Sequence, residues 1–429
     1  MYIKRLQLEN FRCFEQLTID FPKDYTVLIG GNGAGKSSIL DAVAIAMASF
    51  LAGCGIQAAN FHKTDVRFLT YTYEKGGFNR EAQYPVRISA QAETENQECI
   101  AWTRALNSER GRTTVGEARP IMNHADALCQ RVKKNLPVTL PFLAYYGTGR
   151  LWLPKRTKKD AVMRGVPSRL HGYVDALDAA TNEKLMLQWF QRTALMEVQK
   201  GVSLPIFQAV KRTMEKLYAE MDDTAEVVQV SYDFNELEIE IRVTDKAGTN
   251  VSLPLRYFSD GIKAMLSMTA DIAYRMVTLN PQLGGEAIAE TPGIVLIDEI
   301  DMHLHPSWQR KILTALRKSF PKIQFIVTTH APAVLANAEN EHIMIFSHGK
   351  VVSSEKYIYG RDVTVILRDV MHTEVRPKEV VEKKALFYEV LEKGEFSRAE
   401  ELLADLEKVL GAQDEDILRM QVMLDMERL

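Results

Sequence analysis

Residues 26–40 read TVLIGGNGAGKSSIL, and no other stretch restricts the fold as tightly. Gly30 is followed by four residues and then by Gly35-Lys36-Ser37, the spacing of a phosphate-binding P-loop. Glycines at 30, 31, 33 and 35 let the backbone turn tightly and aim its N–H groups inward, with Asn32 and Ala34 completing the loop. Lys36 supplies a positive charge for β and γ phosphate oxygens, and the Ser37 hydroxyl, followed by Ser38, is a ligand type that suits Mg²⁺. Tyr25–Ile29 ahead of the loop is a short β-type run, and Ser38–Phe50 behind it is helical in pattern. Strand, loop and helix in that order predict an α/β nucleotide-binding core with the phosphates on a helix N-terminus.

Two further strand-like runs end in reactive groups. PGIVLIDEIDMHLHP, residues 292–306, carries branched apolar residues at Ile294–Ile297 and then Asp298 and Glu299. A buried parallel strand delivers such carboxylates at its C-terminal end. Asp298 is expected to hold Mg²⁺, directly or through water, and Glu299 to polarise the attacking water. A solvated Asp-Glu turn is the alternative for the pair taken alone. IQFIVTTHAPAVL, residues 323–335, ends its apolar run at Thr328-Thr329-His330, where His330 is placed to reach a γ-phosphate or that water. LRYFSDGIKAMLSM, residues 255–268, has a Ser259-Asp260-Gly261 turn opening an amphipathic helix, a second backbone cradle for phosphate.

The formal charge of −3 argues against a chain that coats nucleic acid with its whole surface. The N-terminus, MYIKRLQLEN, has no apolar run behind its charges, so a signal peptide is not expected. The most apolar stretch, residues 42–56, is too short to span a bilayer and is assigned to the P-loop helix. Cys13, Cys54, Cys99 and Cys129 stand far apart with no Cys-X-X-Cys pair. Their spacing predicts neither a zinc site nor a disulfide framework, and so a reducing, cytoplasmic setting without membrane attachment.

The P-loop, the Ser-X-Gly helix, the hydrophobic-Asp-Glu strand and the strand-end His, in this order, resemble the ATP-binding-cassette (ABC) ATPase head. The Ser-Asp-Gly form resembles the RecF/SMC-like branch, as does ENFRCF at residues 9–14. That resemblance implies a role for Arg12 at the nucleotide and a dimer-contacting segment at His303-Leu304-His305-Pro306. It also implies ATP and Mg²⁺ as ligands, ATPase activity, and a homodimer or higher homo-oligomer in which Ser259 and Gly261 of one protomer close over ATP held by another. The glutamine that ends a strand in this family is not evident. PFLAYYGTGRLW, residues 141–152, puts Tyr146 or Thr148 in its place, a plain strand and glycine turn being the alternative.

The fold class expected is α/β: an ABC-type P-loop NTPase head with a mixed, largely parallel sheet, a short helical insertion and a small C-terminal helical tail. The domain boundaries are 1–176 and 223–378 for the two halves of the head, 177–222 for the insertion and 379–429 for a tail that docks a partner. Leu177–Asp222 lacks sustained heptads, and residues 226–245 alternate as a hairpin turning near Asn235. Residues 150–169 hold seven basic side chains (Arg150, Lys155, Arg156, Lys158, Lys159, Arg164 and Arg169) against Asp160, with Trp152 beside them. This is the candidate nucleic-acid face, with a solvated charge run as the alternative. Residues 381–429 carry 7 basic and 13 acidic side chains in helical patterns, with Ser397 and Glu400 spaced as a capping box and a helix stop near Gly411. No nuclease cluster is evident. The head, YYGTGR, FSDG, DEIDMHLHP and the acidic tail together resemble the ATPase-subunit (PtuA) family of Septu-type antiphage defence, also found beside some retrons. The resemblance implies a separate HNH endonuclease partner, the alternative being a stand-alone RecF-like DNA repair or maintenance ATPase. A transporter ATPase is disfavoured, since the family glutamine and an LSGGQ signature are lacking.

Overall fold

A computed structural model describes residues 1–56, 59–72, 78–151, 168–178, 183–347, 349–352 and 357–428. The chain divides into two compact units, Met1–Arg361 and Asp362–Leu429.

The first unit is built on a six-stranded sheet. Its strands are β3 (Tyr25–Gly30), β8 (Phe142–Tyr146), β12 (Gly293–Ile297), β13 (Ile323–Thr328), β14 (Ile343–Ser347) and β15 (Lys350–Val352), in the order β15-β14-β3-β13-β12-β8. The five strands other than β15 run parallel. Strands β8, β12 and β13 are buried at every position, which is why they read as apolar runs rather than alternations, interrupted in β13 by the buried and hydrogen-bonded Gln324 and Thr328. Gly293 opens β12 because its neighbour leaves no room: a Cβ there would stand 2.1 Å from the Phe142 carbonyl oxygen of β8.

A second, antiparallel sheet has the order β2-β1-β6-β7, from β1 (Tyr2–Phe11), β2 (Phe14–Asp20), β6 (Val86–Glu93) and β7 (Cys99–Leu106). The Gln324 side chain of β13 joins the two sheets, accepting from Ile3 N at 2.8 Å and donating to Ile3 O at 2.9 Å. The P-loop helix α1 (Lys36–Gly53) is buried along most of its length. From β7, Trp102 Nε1 donates to the Ala46 carbonyl and Arg104 to that of Ile45, at 3.0 and 2.8 Å. Among the described helices α1 is the one long and apolar enough to cross a membrane, and 72% of its apolar window is buried inside the protein. It is a core helix, as its place behind the P-loop requires.

Helix α2 (Arg119–Lys133) packs on α1. Two helices, α3 (Glu183–Lys200) and α4 (Pro205–Met221), precede a three-stranded sheet of β9 (Ala225–Asp233), β10 (Glu238–Asp245) and β11 (Asn250–Pro254). The β9–β10 turn forms where the sequence places it, because Asp233 accepts from Asn235 N at 2.7 Å and Leu237 takes a left-handed φ of 54°. A small hairpin of β4 (Phe68–Thr72) and β5 (Phe78–Ala82), and helix α5 (Asp260–Leu279), complete the larger elements that bear on the site.

Of the basic run at 150–169, residues 152–167 lie outside the described residues, Trp152 included. Arg169 is structural rather than available to a ligand. Its guanidinium donates to Leu279 O and Val138 O, both at 2.8 Å.

The second unit opens with a short helix, Val363–Asp369, and continues with α6 (Lys378–Glu392), α7 (Phe396–Leu410) and α8 (Glu415–Glu427). Phe387, Leu403, Leu406, Ile417 and Met420 form its core. The capping box read at Ser397 and Glu400 is not used: α7 begins earlier, with Glu395 as its N-cap, so Ser397 lies within the first turn. Gly411, at φ 88°, ends that helix, and the Asp414 carboxylate caps α8 through Asp416 N at 3.0 Å.

Candidate nucleotide site

Strand order assembles the site. The P-loop strand β3 and the Asp-Glu strand β12 are not neighbours; β13 lies between them and ends in Thr328. All three strands point their C-terminal ends the same way, so the P-loop, Thr328–His330 and Asp298–Glu299 open into one cleft of about 300 Å³. Its lining comprises Arg12, Cys13, Asn32, Gly33, Gly35, Lys36, Ser37, Ser38, Asp298, Glu299, Thr328 and His330. Groups from three distant segments, predicted separately, therefore face the same space.

The loop is shaped for an anion. Gly35 stands at φ 96° as the N-cap of α1, and a Cβ there would meet the Phe14 ring at 2.4 Å. No side chain caps α1 and no acidic residue occupies its first turn, so neither competes with a phosphate for the amide donors. Ala34 N closes the loop onto Gly31 O at 3.2 Å. Lys36 is 7% exposed, and its ammonium donates to Gly30 O at 2.8 Å and Gly31 O at 3.1 Å. Burial pushes its pKa below the ordinary lysine value, while Asp298 and Glu299 act to raise it. These are the properties of a cation held in place for a phosphate.

Opposite Lys36, one carboxylate oxygen gathers two hydroxyls. Ser37 Oγ donates to Asp298 Oδ1 at 3.1 Å and Thr328 Oγ1 donates to the same oxygen at 2.6 Å. The Thr328 hydroxyl also accepts from Glu299 N at 2.7 Å, and Asp298 N donates to Tyr146 O at 2.8 Å. Glu299 adopts a left-handed φ of 50°, turning its side chain into the cleft just past the strand. A hydroxyl, a carboxylate and a second hydroxyl in contact form a hard-oxygen donor set that fits Mg²⁺. His330 is carried by the segment after β13, held by Thr329 Oγ1 donating to Asp301 Oδ1 at 2.5 Å.

Arg12 sits at φ 50° in the turn between β1 and β2 and lines the cleft. Its guanidinium is clamped between Asp41 (Oδ2, 2.5 Å) and Asp65 (Oδ1, 2.9 Å). Burial opposes its charge, but the two carboxylates outweigh that and hold its pKa above the usual value. Tyr145 joins the same group, its hydroxyl donating to Asp41 Oδ1 at 2.9 Å, and burial foremost pushes its phenol far above the ordinary range. Sequence reasoning missed Asp41, Asp65 and Tyr145. Asp41 had a signal, standing four residues after Ser37 on the same helix face; Asp65 had none, being remote in sequence.

Neither Tyr146 nor Thr148 lines the cleft, contrary to the reading of either as a stand-in for the family glutamine. On a strand, adjacent residues face opposite ways. Tyr146 points into the core, donating to Asp271 Oδ2 at 2.8 Å, and Asp271 pairs with Arg275 at 2.8 Å. Tyr145 is the one that faces the P-loop helix.

Ser259, Asp260 and Gly261 do not line the cleft of their own chain. They form the N-terminus of α5, where Ser259 makes no side-chain capping bond and Asp260 pairs with Lys263 at 2.7 Å. Lys263 holds the Asp260 carboxyl below its usual pKa. Gly261 is required by a close approach: a Cβ would stand 2.2 Å from the His303 carbonyl oxygen. The helix turn and the His303–His305 segment therefore pack as one surface. His303 has a φ of 62°, and His305 caps the short helix Pro306–Gln309 through Ser307 N.

Fold and site together define an ABC-type P-loop ATPase head of the RecF/SMC-like kind. A family described as AAA domain matches residues 5–241, more than half of the chain, and the chain belongs to that family. A second, described as AAA domain, putative AbiEii toxin, Type IV TA system, matches residues 198–336. The chain is 26% identical to the Retron Ec83 probable ATPase of Escherichia coli, across 98% of this chain and 86% of that one. It is 28% identical to the Septu protein PtuA of Bacillus mycoides, across 78% of this chain and 39% of the relative. Among solved structures it is similar to an Smc head bound to the C-winged helix domain of ScpA, at 20% identity and a TM-score of 0.47, covering 82% of this chain and 98% of that one.

Proposed function

We propose that two copies of this chain bind and hydrolyse ATP between them, and that this ATPase cycle licenses a separate HNH nuclease in a cytoplasmic retron- or Septu-type defence system. The observation that carries the ATPase reading is the convergence of Lys36, Ser37, Asp298, Glu299, Thr328 and His330 on one cleft. What supports the dimer is the placement of Ser259–Gly261 on a surface away from that cleft, in a chain with one P-loop and one such turn. The retron and Septu relatives support the defence setting.

Each group then has a task. Gly30–Ser38 wrap the phosphates, with Lys36 exchanging its bonds to the Gly30 and Gly31 carbonyls for phosphate oxygens. Ser37 and Asp298 would hold Mg²⁺, which when bound neutralises charge on the phosphates. Glu299 positions and polarises the attacking water, and His330 donates towards the γ-phosphate. Arg12 contributes a fixed positive charge at the cleft edge. Ser259 and Gly261 of the second copy close the site from outside.

The second unit supports a docking role. On α8, Leu418, Val422 and Met426 recur at four-residue spacing and are exposed, with Met423 beside them. An amphipathic helix presenting that stripe in acidic surroundings suits a protein partner better than a phosphate backbone.

The test combines a trap with co-purification. Glu299→Gln should lower kcat by about 100-fold or more and accumulate an ATP-bound dimer by light scattering. Parent-like hydrolysis would remove Glu299 from the mechanism. A nuclease that co-purifies with the full chain and is lost on deletion of residues 362–429 supports the licensing role. Tight ATP-dependent DNA binding with no partner would favour the RecF-like repair reading instead.

A further inference from the structure

We propose that Cys54 and Cys129 are a redox site: a vicinal thiol pair that a peroxide converts reversibly into an intramolecular disulfide tying the P-loop helix to α2. In sequence the two are 75 residues apart, yet their sulfurs stand 2.6 Å from one another, closer than ordinary non-bonded contact. The four cysteines are unbridged, and the other two, Cys13 and Cys99, are exposed elsewhere.

The contact follows from how α1 and α2 pack. Gly53, the last residue of α1, lies so close to α2 that a Cβ would stand 2.3 Å from the Met122 carbonyl oxygen and 2.9 Å from Ala125 Cβ. Ile121, Ala125 and Cys129 recur at four-residue spacing and form the buried face of α2. Cys54 follows Gly53 directly, so the glycine that lets the helices touch also brings the next side chain onto Cys129. The Cys54 sulfur lies 3.9 Å from Ala125 O, as this register requires. Cys129 is 2% exposed while Cys54 is partly exposed, which gives a small oxidant one accessible face.

The chemistry balances with hydrogen peroxide as the oxidant. One thiolate of the pair attacks a peroxide oxygen, the O–O bond breaks, hydroxide leaves, and the sulfur becomes a sulfenic acid. The second sulfur then attacks the first, the S–O bond breaks, and water leaves as the S–S bond forms. Both thiol protons end in the two waters produced. The two sulfurs together lose two electrons, and a dithiol reductant reverses the step. In a cytoplasmic protein such a bridge is transient and responsive rather than a structural staple.

The proposal is tested on the full-length chain carrying Cys13→Ser and Cys99→Ser, which leaves the pair as its only thiols. Two thiols should titrate with Ellman's reagent after reduction and none after micromolar peroxide. Mass spectrometry should show the peptides of Cys54 and Cys129 joined, in a species whose subunit remains monomeric on non-reducing gels. Dithiothreitol should restore both thiols, and the oxidised chain should melt at a higher temperature. Persistence of two thiols, a bridge between chains, or conversion of either sulfur to sulfinic acid alone would each overturn it. Cys54→Ser and Cys129→Ser in the parent background serve as controls, each abolishing the linked peptide.

Discussion

Asp298 Oδ1 receives two hydroxyls, and the second, from Thr328, is itself the acceptor for the Glu299 amide. One fully buried hydroxyl thus fixes the carboxylate proposed to hold Mg²⁺ and orients the residue proposed to activate water. Thr328→Val keeps the shape of the side chain but leaves the Glu299 N–H and one Asp298 lone pair short of a partner. We expect a loss of about 1–3 kcal/mol in stability, read by urea unfolding, with a fall in kcat and little change in nucleotide affinity. An unchanged kcat would place Thr328 outside the working site. Tyr145 offers a second residue-scale test. Tyr145→Phe removes the hydrogen bond to Asp41 and so loosens the clamp on Arg12. ATP affinity should fall several-fold while the fold is retained, as isothermal titration would report.

At the scale of elements, α5 and the segment after β12 act as one piece because Gly261 lets their backbones touch. Gly261→Ala puts a methyl group where 2.2 Å separates the Cβ position from a carbonyl oxygen, so the helix start must move. That displacement leaves the P-loop alone. A fluorescent ATP analogue should therefore still bind, while hydrolysis and ATP-dependent dimerisation are lost; retention of both would remove this turn from the proposed composite site. The strands around it were readable in the sequence. Runs such as Ile294–Ile297 and Phe325–Val327 are apolar throughout because both sheet faces are covered. The Ser397 capping box was misread for a local reason: α7 starts at Phe396, with Glu395 at the N-cap position and making no side-chain cap, so the same polar side chains fall inside the helix.

At the scale of the whole molecule, the second unit has its own core and its own ion-pair network. Arg376 reaches Asp414 at 2.8 Å and Asp416 at 3.1 Å, and Lys384 also pairs with Asp416. The Arg376 hydrogen bond holds the Asp414 carboxyl below the ordinary carboxylate value. Its stabilisation is therefore fully present above the unfolded pKa and disappears as pH falls through the lower folded value. Acid should loosen residues 362–429 below about pH 4, seen as faster hydrogen exchange across α6 and α8. Asp414→Ala, which also deletes a helix cap, should cost this unit about 1–2 kcal/mol at neutral pH and flatten that acid response.

The near-neutral total charge also conceals a division that matters at this scale. The acidic tail is a folded helical unit, whereas Arg169 of the basic run is committed to backbone carbonyls inside the head. Charge counts do not tell a solvent-facing arginine from one that ties two elements together.

By itself the sequence determined the groups whose chemistry depends on local backbone. The P-loop must be glycine-rich to turn, Lys36 and Ser37 must follow it, and Asp298 and Glu299 must close an apolar strand. Such constraints act within a few residues and leave a local pattern. Tertiary structure alone decided which strand lies between β3 and β12, and so made Thr328 the shared partner of Asp298 and Glu299. It decided that Tyr145, not Tyr146, faces the P-loop helix, a matter of strand facing that one residue reverses. It also brought Cys54 to Cys129 across 75 residues. These outcomes depend on which surfaces bury one another, and side chains far apart in the chain carry no pairwise mark of the packing that joins them.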